Sequence, residues 1–318
     1  MKHAAWLLAA AILICCNSAR AALWGQHYVE NDAYGKCSDR RLSPDIRIED
    51  CTKTLNARML KMRSQLGVFD ALASAFQDKY DYANAAVVLS KTIEEAQEMG
   101  VAYYYYRRGG NSVQQGALDL AATDFESARQ NGGQAFAFAG AAEIADFKGK
   151  YTDAIDDYTK AMTAAAPKSP DFYQDRRSAI YAELGDYDNA MADANTVVQD
   201  WGQSSYALNE RCWDRAVLNR DLDRAASDCK QALEILPDDP NTQDSLAFVY
   251  FRQGKWDDAI AEYDLALSHN PYFASSYYMR GITELRKGDT ATGSADIGHA
   301  ELIYPRIGIE YSRYGVIQ

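Results

Sequence analysis

Three windows of this chain repeat one pattern at one spacing. Residues 220–237 read RDLDRAASDCKQALEILP, residues 254–271 read GKWDDAIAEYDLALSHNP and residues 288–305 read GDTATGSADIGHAELIYP, each 34 residues after the last. That period constrains the fold more than composition does, because so short a unit cannot bury its apolar face alone and must stack on copies of itself. The unit reads as helix, turn, helix. Between Pro240 and Phe273 the first helix carries Leu246, Ala247 and Tyr250, Gly254 makes the turn, and the second helix carries Ala259, Tyr263 and Ala266 before Pro271. Those residues are positions 7, 8, 11, 15, 20, 24, 27 and 32 of a 34-residue unit. Positions 8, 20 and 27 lie where helices cross closely and must be small; position 24 is a large apolar knob, and Gly and Pro mark the helix ends.

This set of small and large positions resembles the tetratricopeptide repeat. The resemblance implies an all-α fold, a right-handed superhelical solenoid of helix-turn-helix repeats. Carried along the chain, position 20 falls at Ala85, Ala121, Ala154, Ala190, Ala225, Ala259 and Gly293, at intervals of 36, 33, 36, 35, 34 and 34. About seven repeats therefore span residues 66–305. Two places depart from the pattern. Tyr80 stands where the first unit needs its turn glycine, and Trp213 stands where position 8 takes a small residue. Ahead of the repeats, residues 22–65 form an N-terminal segment. In it Ile46 to Met62 reads as one amphipathic helix, half a degenerate repeat, while residues 22–36 show no periodicity. Residues 306–318, with Ile307, Ile309, Tyr311 and Tyr314, read as a capping segment, since a solenoid must cover its terminal units.

The first 21 residues carry Lys2, an apolar run from Ala4 to Cys16 and the small-x-small site Ala19-Arg20-Ala21. This is the pattern of a secretory signal peptide cleaved after Ala21. Lipidation at Cys16 is disfavoured by Ile14 and Cys15 ahead of it. No later run approaches the ~20 apolar residues of a spanning helix, so no integral membrane segment is expected. The exported chain would lose Lys2 and Arg20, taking the formal charge from −12 to −14. An acidic chain lacks the Lys and Arg clusters that nucleic-acid binding demands. It would keep four cysteines, Cys37, Cys51, Cys212 and Cys229, an even count that suits two disulfides in an oxidising compartment. Of three connectivities the local one is favoured, Cys37 with Cys51 and Cys212 with Cys229. The second bond would join positions 7 and 24 of one repeat.

Position 23 is acidic in six consecutive units, at Asp124, Asp157, Asp193, Asp228, Glu262 and Asp296, and position 7 is Arg108, Arg177 and Arg280 in three. Solvated charge is one reading. The other is a repeated bond from each arginine to a position-23 carboxylate, giving the pairs Arg108–Asp124, Arg177–Asp193 and Arg280–Asp296. The combination of Arg-Gly in the first helix with AIxDYxxAL in the second resembles exported tetratricopeptide proteins of Gram-negative bacteria.

Catalytic sets are thin. His27, His269 and His299 have no Cys, His or carboxylate partner at ligand spacing, and there is no GxSxG, HExxH or phosphate-cradling glycine loop. No cofactor or metal is expected. The repeat resemblance implies that positions 2, 5, 9, 12 and 13 of each first helix face a concave groove. They hold the aromatics Tyr103, Tyr106, Phe136, Phe147, Phe172, Phe248, Phe251 and Tyr278, and the carboxylates Glu143, Asp146, Asp175, Glu183, Glu210, Asp214 and Asp244. The clamp of Lys, Asn and Arg by which cytosolic co-chaperones grip a C-terminal carboxylate is missing. An acidic, aromatic-lined groove suits a protein or extended peptide carrying basic and apolar side chains. The leading expectation is a non-enzymatic exported adaptor of the cell envelope, periplasmic in location. An assembly factor or holdase for envelope proteins is the alternative, and an enzyme with a site between repeats a third reading. The sequence fixes no oligomeric state.

Overall fold

The structure, a computed structural model, describes residues 35–57, 60, 62–96, 100–165, 170–202 and 204–317. The signal-peptide reading, His27 and nearly all of residues 22–36 lie outside the described residues. The chain divides into residues 1–35 and a unit of residues 36–318, which contains the helices described below.

Sixteen helices and no strand are found among the described residues. Helix α1 (Pro44–Asn56) precedes seven pairs: α2 (Met62–Gln77) with α3 (Tyr82–Ala96), α4 (Val101–Gln114) with α5 (Leu118–Gln130), and α6 (Gln134–Phe147) with α7 (Tyr151–Ala164). Then come α8 (Pro170–Glu183) with α9 (Tyr187–Asp200), α10 (Ser205–Val217) with α11 (Leu222–Ile235), α12 (Pro240–Arg252) with α13 (Trp256–His269), and α14 (Ala274–Lys287) with α15 (Thr290–Ile303). Helix α16 (Ile307–Arg313) closes the chain. The fold is an all-α repeat solenoid. The single helix expected from Ile46 to Met62 is two: α1 opens at Pro44, whose fixed φ suits a first helical turn, and ends at Asn56, while Met62 already belongs to α2.

Each pair packs antiparallel, and from α4 to α14 first helices also touch the first helix of the next or previous repeat. That places first helices on the inner side of the curve. The reversal between helices needs a left-handed residue, supplied by Gly116, Gly149, Gly185, Gly254 and Gly288 at φ between +70° and +95°. Tyr80 takes the same role in the first repeat at φ 59°. At the helix crossings space is short. A Cβ on Gly109 would come within 2.5 Å of the Phe125 ring, and one on Gly281 within 2.6 Å of the Gly293 carbonyl oxygen.

The fifth repeat solves the same crossing covalently and corrects the register. Cys212 and Cys229 are bonded, with Cα atoms 5.6 Å apart. Arg108, Arg177 and Arg280 each bond a carboxylate 16 residues on, whereas Arg211 bonds Asp228 at a separation of 17. The turn in this repeat therefore holds one extra residue, with Asn219 and Asp221 both at positive φ. Cys212 thus occupies position 8, where Gly109, Ser178 and Gly281 stand elsewhere, and Trp213 occupies position 9. The expected bond is present, but it joins positions 8 and 24.

The two ends of the repeat run meet. A second disulfide, Cys37–Cys51, ties α1 to the loop before it. That loop and α1 reach the turn after α13: the Arg41 carbonyl oxygen is 3.1 Å from His269 Nδ1, and Tyr272 donates its hydroxyl to Asp45 at 2.8 Å. Lys79 bonds Asp45 at 2.6 Å and lies 4.4 Å over the Tyr272 ring. Tyr80, the residue that replaces a turn glycine, stacks on Tyr304 with centroids 5.3 Å apart. A cavity of about 170 Å³ remains in this junction, bordered by Arg47, Tyr82, Asn241 and Phe273.

Candidate functional site

The repeated arginines form one structural device. Arg108, Arg177 and Arg280 each grip the position-23 carboxylate of their own repeat with two nitrogens, at 2.9 and 2.6 Å to Asp124, 2.8 and 2.8 Å to Asp193, and 2.6 and 3.0 Å to Asp296. The remaining nitrogen reaches back to position 25 of the preceding repeat: Ser90 at 2.9 Å, Thr159 at 2.8 Å and Asp264 at 2.5 Å. Arg211 does the same for Asp228 and Asn195. Planar guanidinium donors suit such two-sided bonding. Arg211 and the position-25 acceptors escaped the sequence reading; the 17-residue Arg–Asp spacing was the available signal. Asp157 has no such arginine and pairs with Lys160 at 2.6 Å.

The inner face divides into two stretches. Along α4, α6 and α8, Tyr106 is buried, donates its hydroxyl to Glu143 and stacks on Phe136 at 5.3 Å. Tyr103 stands 5.9 Å from Phe136, and Phe172 meets Tyr106 edge-on at 6.4 Å. Burial raises the carboxyl pKa of Glu143, of Asp146 and of Glu183, the last to about 7. Glu210 accepts a hydrogen bond from Asn209 at 3.3 Å, and burial pushes it up to about 8.

Three of the predicted groove carboxylates bond neighbouring first helices instead. Asp175 accepts the Tyr206 hydroxyl at 2.8 Å, Asp214 accepts from Ser178, and Asp244 accepts from Ser276 at 2.5 Å and Ser275 at 3.1 Å. All three are buried, which raises their pKa values, that of Asp244 to about 6. The one-residue slip accounts for Asp214, which leaves position 9 to Trp213. It likewise moves Glu210 off position 5, where Asn209 stands.

Along α10, α12 and α14 the inner face is occupied. Helix α16 turns inward and lays Tyr311 against three side chains: stacked on Tyr278 at 5.4 Å, and edge-on to Phe248 at 5.7 Å and Trp213 at 6.5 Å. Phe248 and Tyr278 are therefore buried, and Phe251 is stacked beside Phe248 at 6.2 Å. Tyr314 meets Trp213 edge-on at 5.7 Å, and its carbonyl oxygen accepts from Arg252. Arg286 bonds the Ile317 carbonyl oxygen at 3.0 Å. The segment's own cations cross to the other stretch. Arg306 lies 3.8 Å over the Phe147 ring, and Arg313 Nη1 stands 3.7 Å from Asp146 and 3.8 Å from Glu183.

A sequence profile described as tetratricopeptide repeat matches residues 216–277. Solved structures extend the likeness over most of the chain. One is a tetratricopeptide repeat protein from Parabacteroides merdae, 18% identical, with a TM-score of 0.55 over 79% of this chain and 97% of that one. The fold is that of a tetratricopeptide-repeat protein. Yeast Tom70, 13% identical, matches at 0.54 over 92% of this chain and 65% of its own. The Cut9–Hcn1 hetero-tetramer of the APC/C, 15% identical, matches at 0.54 over 95% and 58%. No curated protein sequence matches the chain. Among the described residues no helix is long and apolar enough to cross a membrane, and no group of His, Cys, Asp or Glu side chains is placed to hold a metal ion. His299 packs edge-on against Tyr277 at 4.5 Å, and His269 serves the junction of the two ends.

Proposed function

We propose that this chain is a non-catalytic, exported scaffold that holds a protein or peptide segment of basic and aromatic character on its inner face. The observation that carries the reading is the α4–α6–α8 stretch, where Glu143, Asp146 and Glu183 are desolvated beside Tyr103, Phe136 and Phe172. Burial disfavours the ionised carboxylates, so a basic side chain brought against them, as Arg313 is near Asp146 and Glu183, recovers part of that cost, while flat rings add stacking and cation–π contact. Two disulfides support an oxidising compartment, consistent with the signal-peptide pattern of residues 1–21 and a periplasmic location. An envelope assembly factor would use the same face with shorter residence times.

The test is site-specific photo-crosslinking in intact cells from a probe at Phe172, compared with one at Leu120, which is exposed on the second helix α5. Adducts should arise from Phe172, diminish at high salt, and diminish again in an E143Q/D146N/E183Q chain. Adducts that arise only from Leu120, or are indifferent to the three substitutions, would remove the inner face from consideration.

A further inference from the structure

We infer that the C-terminal segment, residues 306–317, is a resident ligand of the inner face, and that the external partner is a segment of the same chemistry that takes its place. This rests on the binding role proposed for that face. Three observations support it. First, the segment brings basic and apolar groups together: guanidinium groups on Arg306 and Arg313 flank Ile307 and Tyr311, both 2% exposed. The face opposes them with Asp146, Glu183 and the Phe147 ring, then with Trp213, Phe248 and Tyr278.

Second, the fit is incomplete where the charges meet. Asp146 Oδ1 and Glu183 Oε2 are buried and accept no hydrogen bond, though Arg313 Nη1 is 3.7 and 3.8 Å away. Tyr311 Oη, also buried, has no hydrogen-bond partner. Buried polar atoms left unpaired cost free energy, so an incoming segment that pairs them has an advantage over the resident one. Third, the segment's hold on α12 and α14 includes bonds from Arg252 and Arg286 to its carbonyl oxygens, which any peptide backbone can accept. The chemistry of the outside partner follows: a short stretch with a basic residue two places after one aromatic and next to another, as in Tyr311, Arg313 and Tyr314. Tethering gives the resident copy an effective concentration on the order of millimolar, so the external segment competes against that figure.

The experiment uses the full chain and a labelled peptide of residues 305–318, PRIGIEYSRYGVIQ. Fluorescence anisotropy is recorded for wild type and for R306E/R313E, in which reversed charges drive the tethered copy from the carboxylates. The variant should bind the peptide at least tenfold more tightly than wild type, and a scrambled peptide should bind neither. Equal binding to both proteins, or binding to neither, overturns the inference. Should R306E/R313E lose its helical circular dichroism, R313Q alone is used, with the same ranking expected. Adducts from Phe172 in cells combined with no peptide binding would mean that the face binds a partner unlike the resident segment. Loss of both results would remove the binding role of the face itself.

Discussion

Two halves of one inner surface are completed in different ways. From Tyr106 to Ile180 the repeats build a core of their own, and their inner face carries carboxylates that accept tyrosine hydroxyls, Glu143 from Tyr106 and Asp175 from Tyr206. From Ala182 onward the core is shared with Ile307, Tyr311 and Val316, so the closing segment is part of the packing there. The helical scaffolding is the same; what differs is side-chain size at position 9. Gly110, Glu143 and Ala179 stand there in the first half, whereas Trp213, Phe248 and Ile282 give the second half apolar bulk that packs with the closing segment. Large apolar groups at that position therefore recruit the body of a chain end, and small or acidic ones meet only its arginines.

The strongest way to break this contrast is Tyr311→Ala. It should cost about 3–5 kcal/mol, as for other buried aromatic truncations, and the loss should be confined to one half. Hydrogen exchange should show α10, α12 and α14 losing protection while α4, α6 and α8 keep theirs; uniform loss would mean that the two halves are one cooperative unit. Next in size, Arg177→Ala leaves Asp193, 5% exposed, without its guanidinium and should cost about 2 kcal/mol in urea denaturation. Asp157→Asn, in a repeat whose acidic residue faces only Lys160, should change stability by less than about 0.5 kcal/mol. Equal effects would make the arginine device mere surface charge.

The seven-pair solenoid was legible because one period repeats its small positions, its turn glycines and its acidic position 23. The arginine bonds to Asp124, Asp193 and Asp296 could be anticipated from the same register. Periodicity was silent where the fold depends on a local count or on distant contacts. One added residue between Val217 and Leu222 moved Trp213 onto the inner face, and only the spacing from Arg211 to Asp228 marked it. The sequence showed that residues 306–318 could cap something, but not that they would turn inward. Nor did it show that Tyr80 would stack on Tyr304, because the approach of the two ends accumulates from small rotations across many repeats.

A change of pH sharpens the comparison. The carboxyls of Glu183 and Glu210 are raised to about 7 and about 8 by burial. Between their unfolded values near 4.5 and these folded values, the native chain holds more protons than the unfolded one. Stability is then greatest at the acid end of that window and falls as pH rises through 7 and 8. Tm should therefore fall between pH 5 and pH 8, and Glu210→Gln should flatten that fall. A Tm that instead rises with pH would contradict the buried state of both groups. Smallest of all, Tyr311→Phe removes a buried hydroxyl that has no partner and should raise Tm by roughly 2 °C. A fall would show that the hydroxyl is paired after all.

The clasp between the ends also sets an order of events. Arginine bonds within a repeat, or back to the one before it, join residues 16 to 18 apart, and each repeat can form as soon as it and its neighbour have emerged. Tyr272 meets Asp45 across 227 residues, and His269 meets Arg41 across 228. Contacts that distant carry the largest loop-closure cost and come late in folding. The Cys37–Cys51 loop, closed over only 14 residues, can be ready long beforehand and wait for its counterpart. During synthesis from the N-terminus, the clasp therefore shuts only once the turn at Tyr272 has arrived.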